Sequence, residues 1–284
     1  MEEIWHEING YRIFCRFLKA KNPIATVMFI HGLGEHCGRY SFQKYVDKSI
    51  SVYTWDQIGF GKTAKENKET PLGHNGGFNA VMSPCKFIAD KAQEGVPFFV
   101  QGQSMGGLIA LKFCKDYRNE FLIQGCIAMS PAISVPPSIR PGYIYENFIH
   151  LMGFLLSSFN VSSPVDPAGL SHDSQVVEEY KKDDLIHPYI SFGTASMLLK
   201  IGKELKLKKF PNLKILLTHG EGDMITCCEG TQEFYNRLTT MDKTLLLYKE
   251  MFHELHNEPA IREEIMQKYV DFIIERTRFN GEIR

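Results

Sequence analysis

Phe98-Phe99-Val100-Gln101-Gly102-Gln103-Ser104-Met105-Gly106-Gly107-Leu108-Ile109-Ala110 is the stretch whose reading decides the fold. Residues 98–100 form an apolar run that predicts a buried strand, and from Leu108 onward the chain predicts a helix. Between them lies Gly-x-Ser-x-Gly, centred on Ser104. A strand, a tight turn and a helix in that order make a nucleophile elbow, whose strained turn aims the serine hydroxyl outward. Glycine suits positions 102 and 106 because a Cβ at either would meet the neighbouring strand or helix. The helix N-terminus behind Ser104 supplies free N–H groups and a positive dipole end, which suit an oxyanion. A Gly-rich turn before an ordinary helix carries the same pattern, so the flanking chain has to decide.

Working outward, apolar runs and turn signals alternate. Residues 4–8 and 12–18 read as a hairpin around Asn9-Gly10. Residues 25–30 are a buried strand ending in the Gly-rich loop His31-Gly32-Leu33-Gly34-Glu35-His36. Residues 40–48 predict a helix, 51–55 a strand, and Asp56 to Gly61 a second Gly-rich loop with a structural role. Residues 65–70 read as a solvated loop, 78–94 as a helix interrupted or started at Ser83-Pro84, and 122–129 as a strand. His74 and Asn75 read as loop hydrogen-bonding groups. Strands at 213–218 and 244–248, a helix at 229–238 and a last helix apolar at Ile261, Ile265, Tyr269, Phe272 and Ile273 resume the pattern. This alternation predicts an α/β fold: a mostly parallel, eight-stranded sheet flanked by helices. Between its halves, residues 131–210 show no convincing strand and read as a helical cap inserted into a core of residues 1–130 and 211–284. Within the cap, 148–156 carry no formal charge, which predicts an apolar lid helix.

Composition excludes several classes. The 284 residues are 44% hydrophobic, enough for a sizeable core. Lysine and arginine number 32 against 33 acidic residues, so no basic excess points to nucleic acid. Seven cysteines, an odd number without metal spacing, fit a reducing compartment. No signal pattern opens the chain and no apolar run reaches the roughly 18 residues of a membrane span, so a cytoplasmic protein is expected.

A serine hydroxyl needs a base to take its proton and an acid to orient that base. In parallel sheets, ligands sit beyond the carboxyl ends of the strands. Asp223 follows the strand 213–218 within His219-Gly220-Glu221-Gly222-Asp223, and His253 follows the strand 244–248 within His253-Glu254-Leu255-His256. Both occupy strand ends in the order serine, acid, histidine. His256 competes with His253 as base. The two histidines also evoke a zinc helix, but that motif needs two residues between Glu and the second His, and here there is one. No cofactor is called for. Two oxyanion donors are expected from the N–H groups of Met105 and Leu33, the latter on the early strand-end loop.

These residues resemble the α/β-hydrolase fold and, more narrowly, the monoglyceride lipase / lysophospholipase family. The resemblance runs through His31 to Tyr40, Gly102 to Gly107, Asp166 through Leu170-Ser171, Tyr180 with Asp184-Leu185, Asp242 to Leu245 and His253 to Glu258. It implies a triad of Ser104, Asp223 and His253, which favours His253 over His256, and an oxyanion pair of Leu33 and Met105. It implies head-group contacts at Glu35, Arg39, Gln103 and Tyr180, and a cap forming an acyl channel. Two departures stand out: Gln103 where such lipases carry histidine, and Leu33 where they carry a small residue.

The resemblance implies a serine ester hydrolase that cleaves single-chain lipid esters, monoacylglycerol to fatty acid and glycerol, with peripheral membrane contact through the cap. The alternatives are a general carboxylesterase or lysophospholipase on the same triad, and a non-catalytic hydrolase-fold binding protein. Nothing marks an amino-terminus pocket for a peptidase. Cys227, Cys228 and Cys37 flank the candidate site, and oxidation of the first two would move the acid loop.

Overall fold

The computed structural model describes residues 1–277 except 93, 94, 139, 141 and 164. In chain order the strands are β1 (Glu2–Ile8), β2 (Tyr11–Leu18), β3 (Ala25–Ile30), β4 (Ile50–Trp55), β5 (Phe98–Gln103), β6 (Ile123–Met129), β7 (Asn160–Ser162), β8 (Tyr189–Ser191), β9 (Lys214–Gly220) and β10 (Lys243–Tyr248). The α-helices are α1 (Gln43–Val46), α2 (Gly61–Glu66), α3 (Phe78–Ala92), α4 (Met105–Tyr117), α5 (Tyr143–Leu155), α6 (Ser174–Lys182), α7 (Phe192–Leu207), α8 (Cys228–Arg237) and α9 (Arg262–Thr277).

Eight strands form one sheet in the order β1-β2-β4-β3-β5-β6-β9-β10. Only β1–β2 and β2–β4 are antiparallel; the other neighbours run parallel. The hairpin turn is Asn9-Gly10, with φ of 53° and 80°. Two positive φ values are what a type I′ turn demands, which explains the residue pair. The central strands β3, β4 and β5 are buried along their whole length, as continuous apolar runs in a sheet covered on both faces should be. One face carries Ile88 and Cys85 of α3, Leu108 to Cys114 of α4 and Phe234 of α8. The other carries Tyr45 of α1 and Ile265, Tyr269, Phe272 and Ile273 of α9. The expected α/β architecture is borne out.

Register aligns the strand ends. Ile30 pairs with Gly102, Gln103 with Met129, Met129 with Thr218, and Tyr248 with Gly220. The loops after β3, β5, β6, β9 and β10 therefore leave one edge of the sheet together.

Several local expectations need correction. The helix expected over 40–48 is a single turn, α1, because Tyr40 and Phe42 turn inward and pack against Phe29, tilted and edge-on respectively. The solvated loop begins late: Lys65 and Glu66 belong to α2, whose start is fixed by Asp56 accepting from Lys62 N–H at 2.7 Å. Pro84 lies inside α3 rather than opening it. The end expected for that helix at residue 94 falls outside the described residues. Residues 131–210 do contain strands, the antiparallel pair β7–β8. Three-residue strands carry too little alternation to be legible, and Tyr189–Ser191 reads in sequence as part of the helix that follows. Ser191 ends that strand and caps α7, accepting from Thr194 N–H at 3.1 Å.

The segment between β6 and β9 is fastened to the sheet by polar contacts. Glu204 of α7 meets Lys112 and Lys115 of α4 at 2.9 and 2.8 Å. His36 Nε2 lies 2.8 Å from Asp183, and His187 Nε2 lies 2.9 Å from the Gly59 carbonyl. Helix α5 packs on α7 through Gly153, where a Cβ would come within 2.9 Å of Phe192 O. Its opposite face is bare: Tyr143, Ile144 and Phe154 are more than 80% exposed. Among the described residues no helix is long and apolar enough to cross a membrane.

Candidate active site

The elbow forms because two glycines let three backbones meet. A Cβ on Gly102 would collide with Gly106 O, and one on Gly106 with Ile30 O. Both would fall far inside contact distance, so any side chain would prise α4 off the sheet. Ser104 between them is left-handed, with φ 56° and ψ −118°. The strain is held by Ser104 N–H donating to Met129 O at 2.9 Å and Ser104 O accepting from Ala132 N–H at 3.1 Å. Non-glycine residues adopt such a conformation only where the surroundings over-determine it.

Asp223 and His253 meet as their strand-end positions suggest. His253 Nδ1–H donates to Asp223 Oδ2 at 2.7 Å, and both side chains are buried. Asp223 Oδ1 accepts from the N–H groups of Ile225 and Thr226 at 2.7 and 3.0 Å, and Oδ2 also accepts from Thr226 Oγ1 at 2.7 Å. Burial opposes ionisation of Asp223, but the attraction of His253 and hydrogen bonds from His219 and His253 outweigh it and hold the carboxyl well below its ordinary range. Burial likewise opposes the charged form of His253, and Asp223, with Glu254 and Glu35 behind it, outweighs this and raises its pKa. With Nδ1 donating, Nε2 of the neutral ring is the bare acceptor.

A base must be neutral to accept a proton, so activity should rise with pH as His253 deprotonates. The acid limb of kcat/KM is expected above the ordinary histidine value of about 6.5. An acid limb below pH ~6 in a pH–rate profile would contradict this assignment of the base.

The loop after β3 is pinned from within. His31 is fully buried; its Nε2 accepts from Gln57 N–H at 2.9 Å and its Nδ1 donates to Gly32 O at 2.8 Å. Gly32 N–H donates to Glu35 Oε1 at 2.5 Å, whereas Leu33 N–H has no partner among the described residues. Met105 opens α4, and first-turn N–H groups have no partner within the helix.

Glu35, Arg39, Gln103 and Tyr180 all line one cavity with Gly32, Leu33, Ser104 and His253. Arg39 donates to both oxygens of Glu254 at 2.7 and 3.0 Å, donates to Glu35, and lies 4.7 Å over the Tyr180 ring. Burial opposes the Glu254 charge, but Arg39 outweighs it and holds Glu254 at about 2. Gln103 Nε2–H and the Ser130 hydroxyl both donate to His253 O, at 3.1 and 2.8 Å. His256, the rival base, stacks on Tyr40 with rings 5.2 Å apart, and its Nδ1 is buried without a partner among the described residues.

Sequence reasoning passed over Ser130, Thr226, Gln57 and Glu254. Each acts through a contact distant in sequence or through a backbone atom, so no spacing announces it. Cys37 is fully buried; burial pushes its thiol up, as it does those of Cys227 and Cys228.

The cavity measures about 20 Å³, and Val165, Leu170 and Ile225 supply apolar lining. That is room for about one water.

Residues 21–260 match the family described as serine aminopeptidase, S33. An uncharacterized abhydrolase domain-containing protein of Dictyostelium discoideum is 38% identical over 258 residues, which is 89% of this chain; the chain spans only 27% of that protein. The monoglyceride lipase of Rattus norvegicus is 26% identical across 99% of this chain and 93% of its own. The crystal structure of the Paleococcus ferrophilus monoacylglycerol lipase superposes with a TM-score of 0.83 at 26% identity, covering 93% of this chain and 99% of that one. The expected resemblance is borne out: this chain belongs to the serine aminopeptidase S33 family of α/β-hydrolases, alongside monoglyceride lipases.

Proposed function

We propose that the protein is a serine ester hydrolase that cleaves single-chain lipid esters, monoacylglycerol to fatty acid and glycerol, through an acyl-enzyme. The observation that carries this reading is a buried His253–Asp223 pair sharing a cavity with the elbow serine, under a segment whose outer face is apolar.

In this scheme His253 Nε2 takes the Ser104 proton as Oγ attacks the ester carbonyl. Leu33 and Met105 N–H groups receive the oxyanion, each donor lowering the barrier by about 3–4 kcal/mol. The imidazolium then protonates the leaving alcohol, Asp223 stabilising its charge. Water then attacks the acyl carbonyl, giving a proton to His253, which passes it to Ser104 Oγ as the bond to the fatty acid breaks. Residues 131–210 act as the cap. The cavity is too small for an acyl chain, so some of its lining side chains must give way for a tail to enter.

The lining favours a neutral alcohol. Arg39 is already bound by two carboxylates, which leaves little net charge for a phosphate. The exposed apolar face of α5, with Tyr143, Ile144, Phe148, Leu151 and Phe154, is well suited to resting on lipid, where a single-chain ester would be collected.

The test is release of free fatty acid from monoacylglycerols of increasing chain length, lysophosphatidylcholine and short esters, each presented as monomers and in vesicles. We expect kcat/KM for monoacylglycerol to rise at least about tenfold from butyryl to lauroyl, since each buried methylene is favourable. Strict preference for acetyl esters would remove the lipid reading and leave a general carboxylesterase.

A further inference from the structure

The acyl-transfer scheme leaves the fully buried His219 unused. His219, on β9, has its Nε2 3.1 Å from Asp223 Oδ2, the oxygen that His253 Nδ1 meets at 2.7 Å, and 3.2 Å from Thr226 Oγ1, which itself donates to that oxygen. Its Nδ1 lies 2.9 Å from Thr231 Oγ1, on the first turns of α8. In the neutral ring only one arrangement satisfies both contacts: Nε2–H donates to the carboxylate, and Nδ1 accepts from the Thr231 hydroxyl. Asp223 therefore accepts four hydrogen bonds, two on each oxygen, and His219 Nε2 lies against Oδ2 as a second imidazole beside that of His253.

We propose that His219 is a positioning residue that shares Asp223 with His253 and, by drawing on the same carboxylate oxygen, limits how basic His253 becomes. The proposal rests on the acyl-transfer reading above. A carboxylate that already accepts from a second imidazole offers less charge to an imidazolium. His253 is then stabilised as a cation less than it would be by an unshared carboxylate, and stays available as a neutral base nearer neutral pH. Thr231 locks the ring so that it donates rather than presenting a lone pair to the carboxylate.

The other groups facing the pair are Glu35 from the early loop, Glu254 and His256 from the loop carrying His253, and Cys228 and Glu229 from the start of α8. None of these titratable groups is replaced in the variants, and the Thr226 hydroxyl, which touches His219, Asp223 and His253, stays in place, so a shift reports what His219 does to the Asp223 carboxylate directly and through Thr226.

The experiment measures kcat/KM for a water-soluble butyrate ester, and the rate of fluorophosphonate labelling, against pH. It uses the full chain as wild type, His219→Leu, His219→Gln and Thr231→Val. His219→Leu is expected to move the acid limb of both profiles upward by about 0.5–1 pH unit, because the carboxylate's full charge returns to His253. Gln restores a donor and an acceptor and should return the limb to within about 0.2 unit of wild type. Thr231→Val should move it in the same direction by less, and decides the matter if His219→Leu does not fold. An acid limb that stays put or falls in the folded variants overturns the proposal. So does a loss of rate that is equal at every pH and is not rescued by Gln. Wild-type protein that fails to label overturns the acyl-transfer reading itself, whereas labelled wild type with unmoved variants overturns only the role of His219.

Discussion

Ser104→Ala is expected to lower kcat/KM for any ester substrate by about 10⁴–10⁶-fold and to abolish fluorophosphonate labelling. In the proposed scheme the hydroxyl is the atom that forms the acyl bond, and alanine retains nothing that can replace it. The proposed oxyanion donors, the backbone N–H groups of Leu33 and Met105, are untouched by the substitution. Residual hydrolysis above the uncatalysed rate should therefore remain. The fold should survive as well. The substituted residue has to adopt the same left-handed backbone, at φ 56°, and the bonds to Met129 O and from Ala132 N–H that hold it do not involve the hydroxyl. A folded Ser104→Ala protein with more than about 1% of wild-type activity would place the nucleophile elsewhere.

Asp223→Asn should cost about 10⁴-fold in kcat, equivalent to about 5–6 kcal/mol of barrier. All four hydrogen bonds to the Asp223 carboxylate come from donors, and His219 Nε2 lies 3.1 Å from Oδ2. An asparagine has only one accepting oxygen, and its NH₂ must face either the Ile225 and Thr226 N–H groups or the two histidines. If it faces the histidines, His253 is driven to the tautomer with Nδ1 bare and Nε2 protonated, and Nε2 can no longer take the serine proton. If it faces the backbone, the loop that carries residue 223 must shift. Either way the change also removes the carboxylate that raises the His253 pKa, so the remaining activity should show an acid limb at lower pH than wild type. A thermal melt establishes that the variant is folded, and activity within tenfold of wild type would exclude Asp223 as the acid.

Much of the fold was legible because it rests on local or periodic signals. Continuous apolar runs at 25–30 and 98–100 announce strands buried on both faces. The Asn9-Gly10 pair announces its hairpin, and steps of three and four residues announce the buried face of α9. Where a segment is short or irregular, the signal fails. The three-residue strands β7 and β8 exist because they pair with each other, and α1 is short because Tyr40 and Phe42 pack beneath it.

The candidate site divides in the same way. Ser104, Asp223 and His253 could be named from the chain because each follows a strand, and parallel strands deliver their ends to one edge. The glycines flanking Ser104 were readable for a similar reason: an elbow leaves no volume for a side chain, and that constraint is written in residue type. The three-dimensional arrangement alone shows how the groups behave once gathered. It turns Arg39 into a bridge between two buried carboxylates, aims Gln103 at His253 O, and closes the cavity to about 20 Å³. It also sets a second histidine on the acid. Those outcomes depend on which oxygens lie within hydrogen-bond reach of which donors and on how far water is excluded. Both are properties of packed neighbours far apart in the chain, and no spacing in one dimension encodes them.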